Sequence, residues 1–298
     1  MRSEDLLARV DPAHGAEVLD LVELRHGRQL LGRPPFGSEP PQGGDLEEDP
    51  WTAAWRGGWQ GCLPNAGSAC AVDGIRHGFH GRASNDPWQV LEADDASCRV
   101  RWQGHGLSAE RRMELSDALR IKTEVESRES GVPLVALEHL ALGLEVIEPT
   151  VELELPEGPA WELDESLGPV IPPAGAPRFP GILLDTGGME RVDRWRLSDD
   201  RGRVFVIGDV PEGCAVARNG ARDHGVAVTW SVDALPHLVV WHEARASGGV
   251  WRHATELLCI EPCSVPHLLG LRSALDAGQA LRLEERQTVA WEMAVRPL

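Results

Sequence analysis

Residues 119–126 read LRIKTEVE, and this stretch decides the fold class. Leu119, Ile121, Thr123 and Val125 alternate with charged residues, so they share one face of an extended chain. A period of two is typical of a β-strand that is buried on one face only. The stretch therefore predicts a half-buried strand.

Ten further segments carry short alternating or apolar runs, and Gly, Pro, Asp or Asn residues separate them. They are residues 16–22, 97–103, 111–115, 133–140, 150–155, 204–207, 226–230, 237–241, 255–260 and 288–295. A helical period is not sustained, and one short helical piece is expected at 268–275. Strands at this density predict an all-β fold, a large antiparallel β-sandwich.

Two stretches rich in Pro and Gly, residues 33–50 and 168–180, interrupt the strand pattern. Strand-like segments flank both stretches, and composition does not change across them. We interpret them as long surface loops rather than linkers. Residues 1–298 are therefore expected to form a single β-sandwich domain.

Composition excludes several classes of protein. The formal net charge of −18 over 298 residues disfavours nucleic acid as a partner, because phosphate binding needs a basic surface. An apolar run long enough for a membrane helix or a signal peptide is missing, so a cytoplasmic protein without a membrane partner is expected. The six cysteines form no C-x-x-C pair, which favours reduced thiols over a zinc or disulfide framework.

Residues 55–67, WRGGWQGCLPNAG, combine two tryptophans with Arg, Gly and Pro and show no strand alternation. They are expected to form a rigid loop. Tryptophan faces stack on sugar rings, and Arg56, Gln60 and Asn65 carry groups that hydrogen-bond hydroxyls. The alternative is a turn held by tryptophan packing.

Residues 73–88, DGIRHGFHGRASNDPW, contain His77 and His80, each followed by glycine. An imidazole in such a loop is accessible and acts as acid or base near neutral pH. A metal site at this H-x-x-H pair would need further ligands at suitable spacing, so no metal is expected. A hydrogen-bonded loop histidine remains the alternative for one of the two.

His139 and Glu261 each follow an apolar, strand-like run. Strand ends hold catalytic groups rigidly, and burial raises the pKa of a carboxyl toward the range of a general base. Glu138 is expected on the opposite face from His139. The alternatives are a hydrogen-bonded core histidine and a solvated glutamate at a strand terminus.

Taken together, these residues resemble the aldose 1-epimerase (galactose mutarotase-like) superfamily, in particular its bacterial branch. The resemblance spans most of the chain and rests on segments in order: Gly57-Gly58-Trp59, Pro64-Asn65-Ala66-Gly67, a His-Gly pair before Pro87-Trp88, Glu138-His139, Trp241 and Ile260-Glu261-Pro262. It implies the large antiparallel β-sandwich of that superfamily, which is known as the galactose mutarotase-like supersandwich. It also implies a cytoplasmic isomerase that interconverts the α and β anomers of a free sugar without a cofactor.

The resemblance also implies roles for particular residues. Glu261 would be the base that deprotonates the anomeric hydroxyl, and His139 the acid that protonates the ring oxygen. The substrate-binding candidates are His80, His77, Arg56, Arg82, Trp59, Asn65, Trp241 and Asp185. Spacing to Pro87-Trp88 favours His80 over His77, and the choice stays open.

Other functions stay open at this point. One alternative is a carbohydrate-binding or sugar-sensing sandwich that keeps the pocket without the chemistry. Another is a lyase or isomerase of oxidised sugars, in which Arg56 or Arg82 would bind the substrate carboxylate. The choice among a neutral sugar, a phosphorylated sugar and a uronate stays open. The protein is expected to be a monomer or homodimer.

Overall fold

The computed structural model describes residues 1–34, 43–164, 166–196, 201–220, 224–245 and 256–298. These residues form two large β-sheets, called sheet I and sheet II. The all-β, largely antiparallel sandwich that the sequence predicts is confirmed, and among the described pairings one, β14 with β15, is parallel.

Sheet I contains the strands that carry the candidate site. In spatial order they are β1 (Leu6–Asp11), β2 (Glu17–Glu23), β4 (Trp59–Cys62), β12 (Leu137–Leu142), β22 (Glu256–Cys263), β21 (His237–Ala244), β18 (Arg201–Ile207), β14 (Ala160–Glu162), β15 (Gly181–Leu183) and β16 (Met189–Arg191), with β3 (Arg28–Gln29) paired to β2.

Sheet II covers one face of sheet I. In spatial order it consists of β17 (Arg194–Arg196), β13 (Thr150–Glu154), β19 (Cys214–Asn219), β20 (Gly225–Trp230), β24 (Thr288–Pro297), β10 (Leu119–Ser127), β9 (Leu107–Leu115), β8 (Ser97–Gly104) and β7 (Gln89–Ala93).

Smaller elements connect the sheets. Two short pairs are formed by β5 (Cys70–Val72) with β6 (Ile75–His77) and by β11 (Val132–Leu134) with β23 (Leu281–Leu283). The described helices are α1 (Glu48–Ala54), α2 (Leu144–Ile147) and α3 (Gly270–Asp276), with a 3₁₀ turn at Arg82–Ser84. None of the helices in the described part of the chain has the length and apolarity to cross a membrane.

The main core lies between the two sheets. Strand β10 buries every second residue, as its sequence predicts. One buried cluster joins Trp59 and Leu140 of sheet I to Met113, Ile121 and Trp291 of sheet II. Strand β12, in contrast, is buried along its whole length on both faces. Polar side chains on its outer face are therefore removed from water as well.

Two loop predictions need correction. Residues 55–67 were expected to be a rigid loop, but they contain β4, a strand in the middle of sheet I. Residues 33–50 were expected to be a loop, but α1 begins at Glu48; residues 35–42 lie outside the described part of the chain. All six cysteines are free thiols, as expected.

Candidate active site

The candidate site is built on one row of side chains across five neighbouring strands of sheet I. Strand pairing places Asp11, Glu17, Gln60, His139 and Glu261 side by side on β1, β2, β4, β12 and β22. Because side chains alternate between faces, all five lie on the outer face, away from sheet II. The row brings together the two residues that the sequence singles out as acid and base.

His139 and Glu261 form the centre of the row. The His139 Nε2 and Glu261 Oε1 atoms lie 3.5 Å apart, and each residue is 2% exposed. Burial raises the pKa of Glu261 to about 8, which the neighbouring Cys259 thiol opposes in part. Burial also lowers the pKa of His139 to about 4, opposed in part by its own backbone. Burial therefore favours the uncharged forms of both groups, a protonated Glu261 and a neutral His139.

His80 lies beside this pair, and His77 does not. The His80 ring is 5.3 Å from the His139 ring, edge to face. Its Nδ1 accepts a hydrogen bond from the Gly67 amide at 3.2 Å, so the proton of the neutral ring is on Nε2. Burial, followed by His139, lowers the pKa of His80 well below its ordinary value. His77 instead packs against His105, with ring centroids 4.8 Å apart.

Aromatic side chains cover the pair. Helix α1 places Trp51 4.5 Å from the His80 ring and 5.8 Å from the His139 ring. Trp55, directly after α1, lies 5.0 Å from His139 and 5.7 Å from Trp241. Trp241 was expected at the site and lies 6.2 Å from His139. We call Trp51, Trp55 and Trp241 the aromatic roof.

The structure corrects the expectation for Trp59. This residue was expected to stack on a sugar, but it is fully buried between the sheets. Its Nε1 donates a hydrogen bond to Glu138 at 2.7 Å. Trp59 and Gln60 are consecutive strand residues, so they must lie on opposite faces. Gln60 is on the site face, which puts Trp59 in the core.

The two candidate arginines are engaged by acidic residues. Arg56 forms ion pairs with Glu17 and, at 2.7 Å, with Asp11. Arg82 pairs with Asp86 at 2.8 Å and lines a separate groove of about 360 Å³ that it shares with Arg101 and Trp102. Both were expected to bind substrate; each is paired with protein carboxylates, and Arg56 Nε has no hydrogen-bond partner among the described residues.

Asn65 and Asp185 also lie outside the row. The Asn65 side chain accepts a hydrogen bond from the Leu271 amide at 2.6 Å and donates to the Ser68 and Gly78 carbonyls at 3.0 and 2.8 Å. It therefore joins three loops instead of facing a ligand. Asp185 is exposed and follows β15, four strands from β22 and so roughly 19 Å away at the usual strand spacing.

Sequence reasoning missed Trp51 and Cys259. Trp51 lies in a region interpreted as loop, although acidic residues and a proline precede Trp51 and Trp55 at helical spacing, which is typical of a helix start. Cys259 lies two residues before Glu261 on β22, so it faces the same side. The spacing of two residues on one strand therefore predicts that the Cys259 and Glu261 side chains lie next to each other.

The donor atoms of His139, Cys259 and Glu261 all lie within 4.8 Å of one another, the one group of this kind in the described part of the chain. A structural zinc site needs four ligands, and thiol ligation needs the thiolate. Burial, followed by Glu261, raises the pKa of Cys259 well above its ordinary value. Burial thus disfavours the thiolate that a cation would need, and the three donors match the number in a catalytic zinc site and not in a structural one.

No protein-family model and no curated protein sequence matches the chain. Solved structures do match it. The Slr1438 protein from Synechocystis sp. PCC 6803 has a TM-score of 0.71 at 17% identity, with 98% of this chain and 92% of that chain covered. The galactose mutarotase related enzyme from Lactobacillus acidophilus has a TM-score of 0.69 at 12% identity, with 100% and 96% covered.

A third structure, a galactose mutarotase-like protein from Lactobacillus casei ATCC 334, has a TM-score of 0.65 at 14% identity. The match covers 100% of this chain and 99% of that chain. Identities this low establish the fold alone. The fold of this chain is therefore the galactose mutarotase-like β-sandwich that the sequence resemblance implies.

Proposed function

We propose that the protein is a mutarotase-like sugar epimerase that interconverts the α and β anomers of a free sugar. The observation that carries the proposal is the Glu261 and His139 pair. Its two titratable groups lie 3.5 Å apart, and burial moves their pKa values in opposite directions. Two neighbouring groups with separated pKa values supply an acid and a base to one substrate.

The proposed chemistry is ring opening and reclosure. A base takes the proton of the anomeric hydroxyl while an acid protonates the ring oxygen, and the C1–O5 bond breaks to give the open-chain aldehyde. Rotation about the C1–C2 bond and reclosure, with both proton transfers reversed, give the other anomer. All atoms and protons are returned, so the reaction consumes no cofactor.

The resting proton changes the assignment of roles. The resemblance implies Glu261 as base and His139 as acid, whereas burial favours a protonated Glu261 and a neutral His139. In the first half of the reaction we therefore assign the acid to Glu261 and the base to the neutral His139. Reclosure exchanges the two roles, so both groups return to their starting protonation states.

The neighbouring residues would bind the sugar. The His80 Nε2–H is a donor for a sugar oxygen, and its tautomer is fixed by the Gly67 amide. Trp55 and Trp241 offer ring faces for stacking. Because Trp51 and Trp55 are 4% and 2% exposed over a buried pair, the sugar must displace part of the roof, and α1 is the element that would move.

A second candidate is a sugar-binding protein without catalysis. The observation that favours it is the set of ring faces and the fixed His80 donor beside the pair, since these groups would hold a sugar without any proton transfer. The setting proposed for either function is the cytoplasm, as monomer or homodimer, with a free sugar as the partner and neither nucleic acid nor membrane.

Anomer exchange measured by NMR on a panel of free aldoses tests the proposal. Wild type is expected to accelerate exchange, and Glu261→Gln to lose about 100-fold or more of that acceleration, because proton transfer contributes about 10²–10⁴-fold. Glu126→Gln, at an exposed carboxylate of β10, is the matched control and should retain full activity. Sugar-induced chemical shifts without any acceleration would support the binding protein instead.

A further inference from the structure

Gln60 occupies the row position between Glu17 and His139, and its amide orientation is fixed. Its Nε2 donates a hydrogen bond to Glu17 Oε2 at 2.9 Å. A carboxylate can only accept, so the NH₂ end of the amide must face Glu17. The contact with Glu17 therefore turns the Gln60 Oε1 atom away from Glu17.

Two buried polar atoms beside this position lack a partner. Gln60 Oε1 and His139 Nδ1 have no hydrogen-bond partner among the described residues, although the two residues are 1% and 2% exposed. They belong to directly paired positions of β4 and β12. Leaving a buried polar group unpaired costs about 1–3 kcal/mol. Two such atoms on neighbouring positions indicate a place for a polar group that arrives from outside.

A hydroxyl group placed between these two atoms would satisfy both. It donates its hydrogen to Gln60 Oε1, and its lone pair accepts from His139 Nδ1–H. We propose that Gln60 binds a hydroxyl of the substrate sugar between its own Oε1 and His139 Nδ1, and that Glu17 is the residue that positions Gln60. The inference rests on the proposed function in taking the ligand to be a sugar.

The same contact would position His139. A hydroxyl bound at Nδ1 keeps the single proton of the neutral imidazole on that nitrogen. The Nε2 lone pair, on the side of Glu261, is then available to take the proton of the anomeric hydroxyl. Gln60 would thus act on substrate binding first and on proton transfer through His139 second.

Charge around Gln60 defines the class of substrate. Arg56 is the cation at this end of the row, and its guanidinium is shared by Glu17 and Asp11. His14, with its Nδ1 3.4 Å from Glu17, stays uncharged because burial, followed by Arg56, lowers its pKa to about 4. Two carboxylates against one guanidinium repel an anionic ligand. We therefore assign an uncharged sugar, and not a sugar phosphate or uronate.

The test uses Gln60→Met, which keeps the length of the side chain and removes Oε1. With glucose and galactose as probes, KM is expected to rise about 10- to 100-fold, the equivalent of one lost hydrogen bond to a buried group, with a smaller change in kcat. Glu17→Gln retains Gln60 but no longer fixes its amide, so its rise in KM should be smaller. Wild type should accelerate glucose and leave glucuronate and glucose 6-phosphate at their spontaneous rates.

Binding of methyl glucosides, whose locked C1 prevents mutarotation, separates this inference from the proposed function. Weaker binding by a folded Gln60→Met, with an unchanged near-UV circular dichroism spectrum, supports the Gln60 site even if wild type proves inactive. Unchanged binding and KM in that variant would overturn the Gln60 site while leaving the epimerase intact. Preference for glucuronate or glucose 6-phosphate would overturn the assignment of an uncharged substrate.

Discussion

Glu138 and Glu261 are both buried glutamates on neighbouring strands of sheet I, but their side chains lie on opposite faces. Glu138 faces sheet II, where its two oxygens accept hydrogen bonds from Trp59, Arg111, Thr123 and Trp291 at 2.7, 2.8, 3.2 and 2.7 Å. Glu261 faces outward and meets a weak thiol donor and an imidazole. A glutamate on the inner face, Glu138, is thus saturated with donors, whereas a glutamate on the outer face, Glu261, has few partners.

This difference separates a structural carboxylate from a reactive one. Four donors, one of them a guanidinium, saturate the oxygens of Glu138 and hold its carboxylate in one position. Few donors and burial give Glu261 a high pKa and a readily exchanged proton. The packing around Glu138 and Arg111, here called the inner site, is tight. A Cβ atom at Gly61 would lie 2.9 Å from Arg111 Nη1.

The largest expected effect comes from breaking the inner site. Arg111→Met leaves Glu138 as a buried charge without its cation, which should lower the free energy of unfolding by about 3–5 kcal/mol. Urea denaturation measures the change. The double variant Arg111→Met/Glu138→Gln should recover part of the loss, because it removes the unpaired charge. A cost below about 1 kcal/mol for Arg111→Met would mean that the three neutral donors suffice.

The next largest effect is on the pH dependence of stability. The folded-state pKa of Glu261, about 8, lies above the ordinary value of 4.5. Between these values the folded chain binds a proton that the unfolded chain releases, so stability falls as pH rises. From pH 6 to pH 8 the contribution of this group falls by on the order of 2 kcal/mol.

Glu261→Gln should therefore flatten the pH dependence of the free energy of unfolding above pH 6. Urea curves of wild type and variant at pH 6, 7 and 8 measure it. The lowered pKa values of buried histidines such as His139 reduce stability toward acid in both proteins, so that part cancels. Parallel dependences in the two proteins would show that Glu261 is ionised in the folded state.

The inner and outer faces also differ in how well the sequence predicts them. Period-two alternation was enough to identify the sandwich and to place Glu138 and His139 on opposite faces, since that depends on local geometry alone. It also placed Glu261 on a buried strand. That strand continues through Cys263, however, so Glu261 lies inside it and not at its end.

The features that the sequence could not predict depend on pairing between strands that are far apart in the chain. Glycines obscure the alternation of β4, and the face of Trp59 was set by pairing with β12, whose Glu138 is 79 residues further along the chain. The sequence predicted that Arg56 binds substrate. It could not show the ion pair of Arg56 with Asp11, because Asp11 lies 45 residues earlier. A residue's type shows what it can bind, but the partner it finds depends on which strands the fold makes neighbours.

The smallest expected effect concerns the thiol donor of Glu261. Epimerase activity should fall above about pH 8, because Glu261 then loses the proton that it donates to the ring oxygen. The Cys259 thiol stabilises the ionised carboxylate, so Cys259→Ala should move this alkaline limb to higher pH by less than about one unit, while Cys259→Ser should keep it near the wild-type position. The pH profile of anomer exchange measures both. A limb that moves to lower pH in the alanine variant would mean that Cys259 acts through packing and not as a hydrogen-bond donor to Glu261.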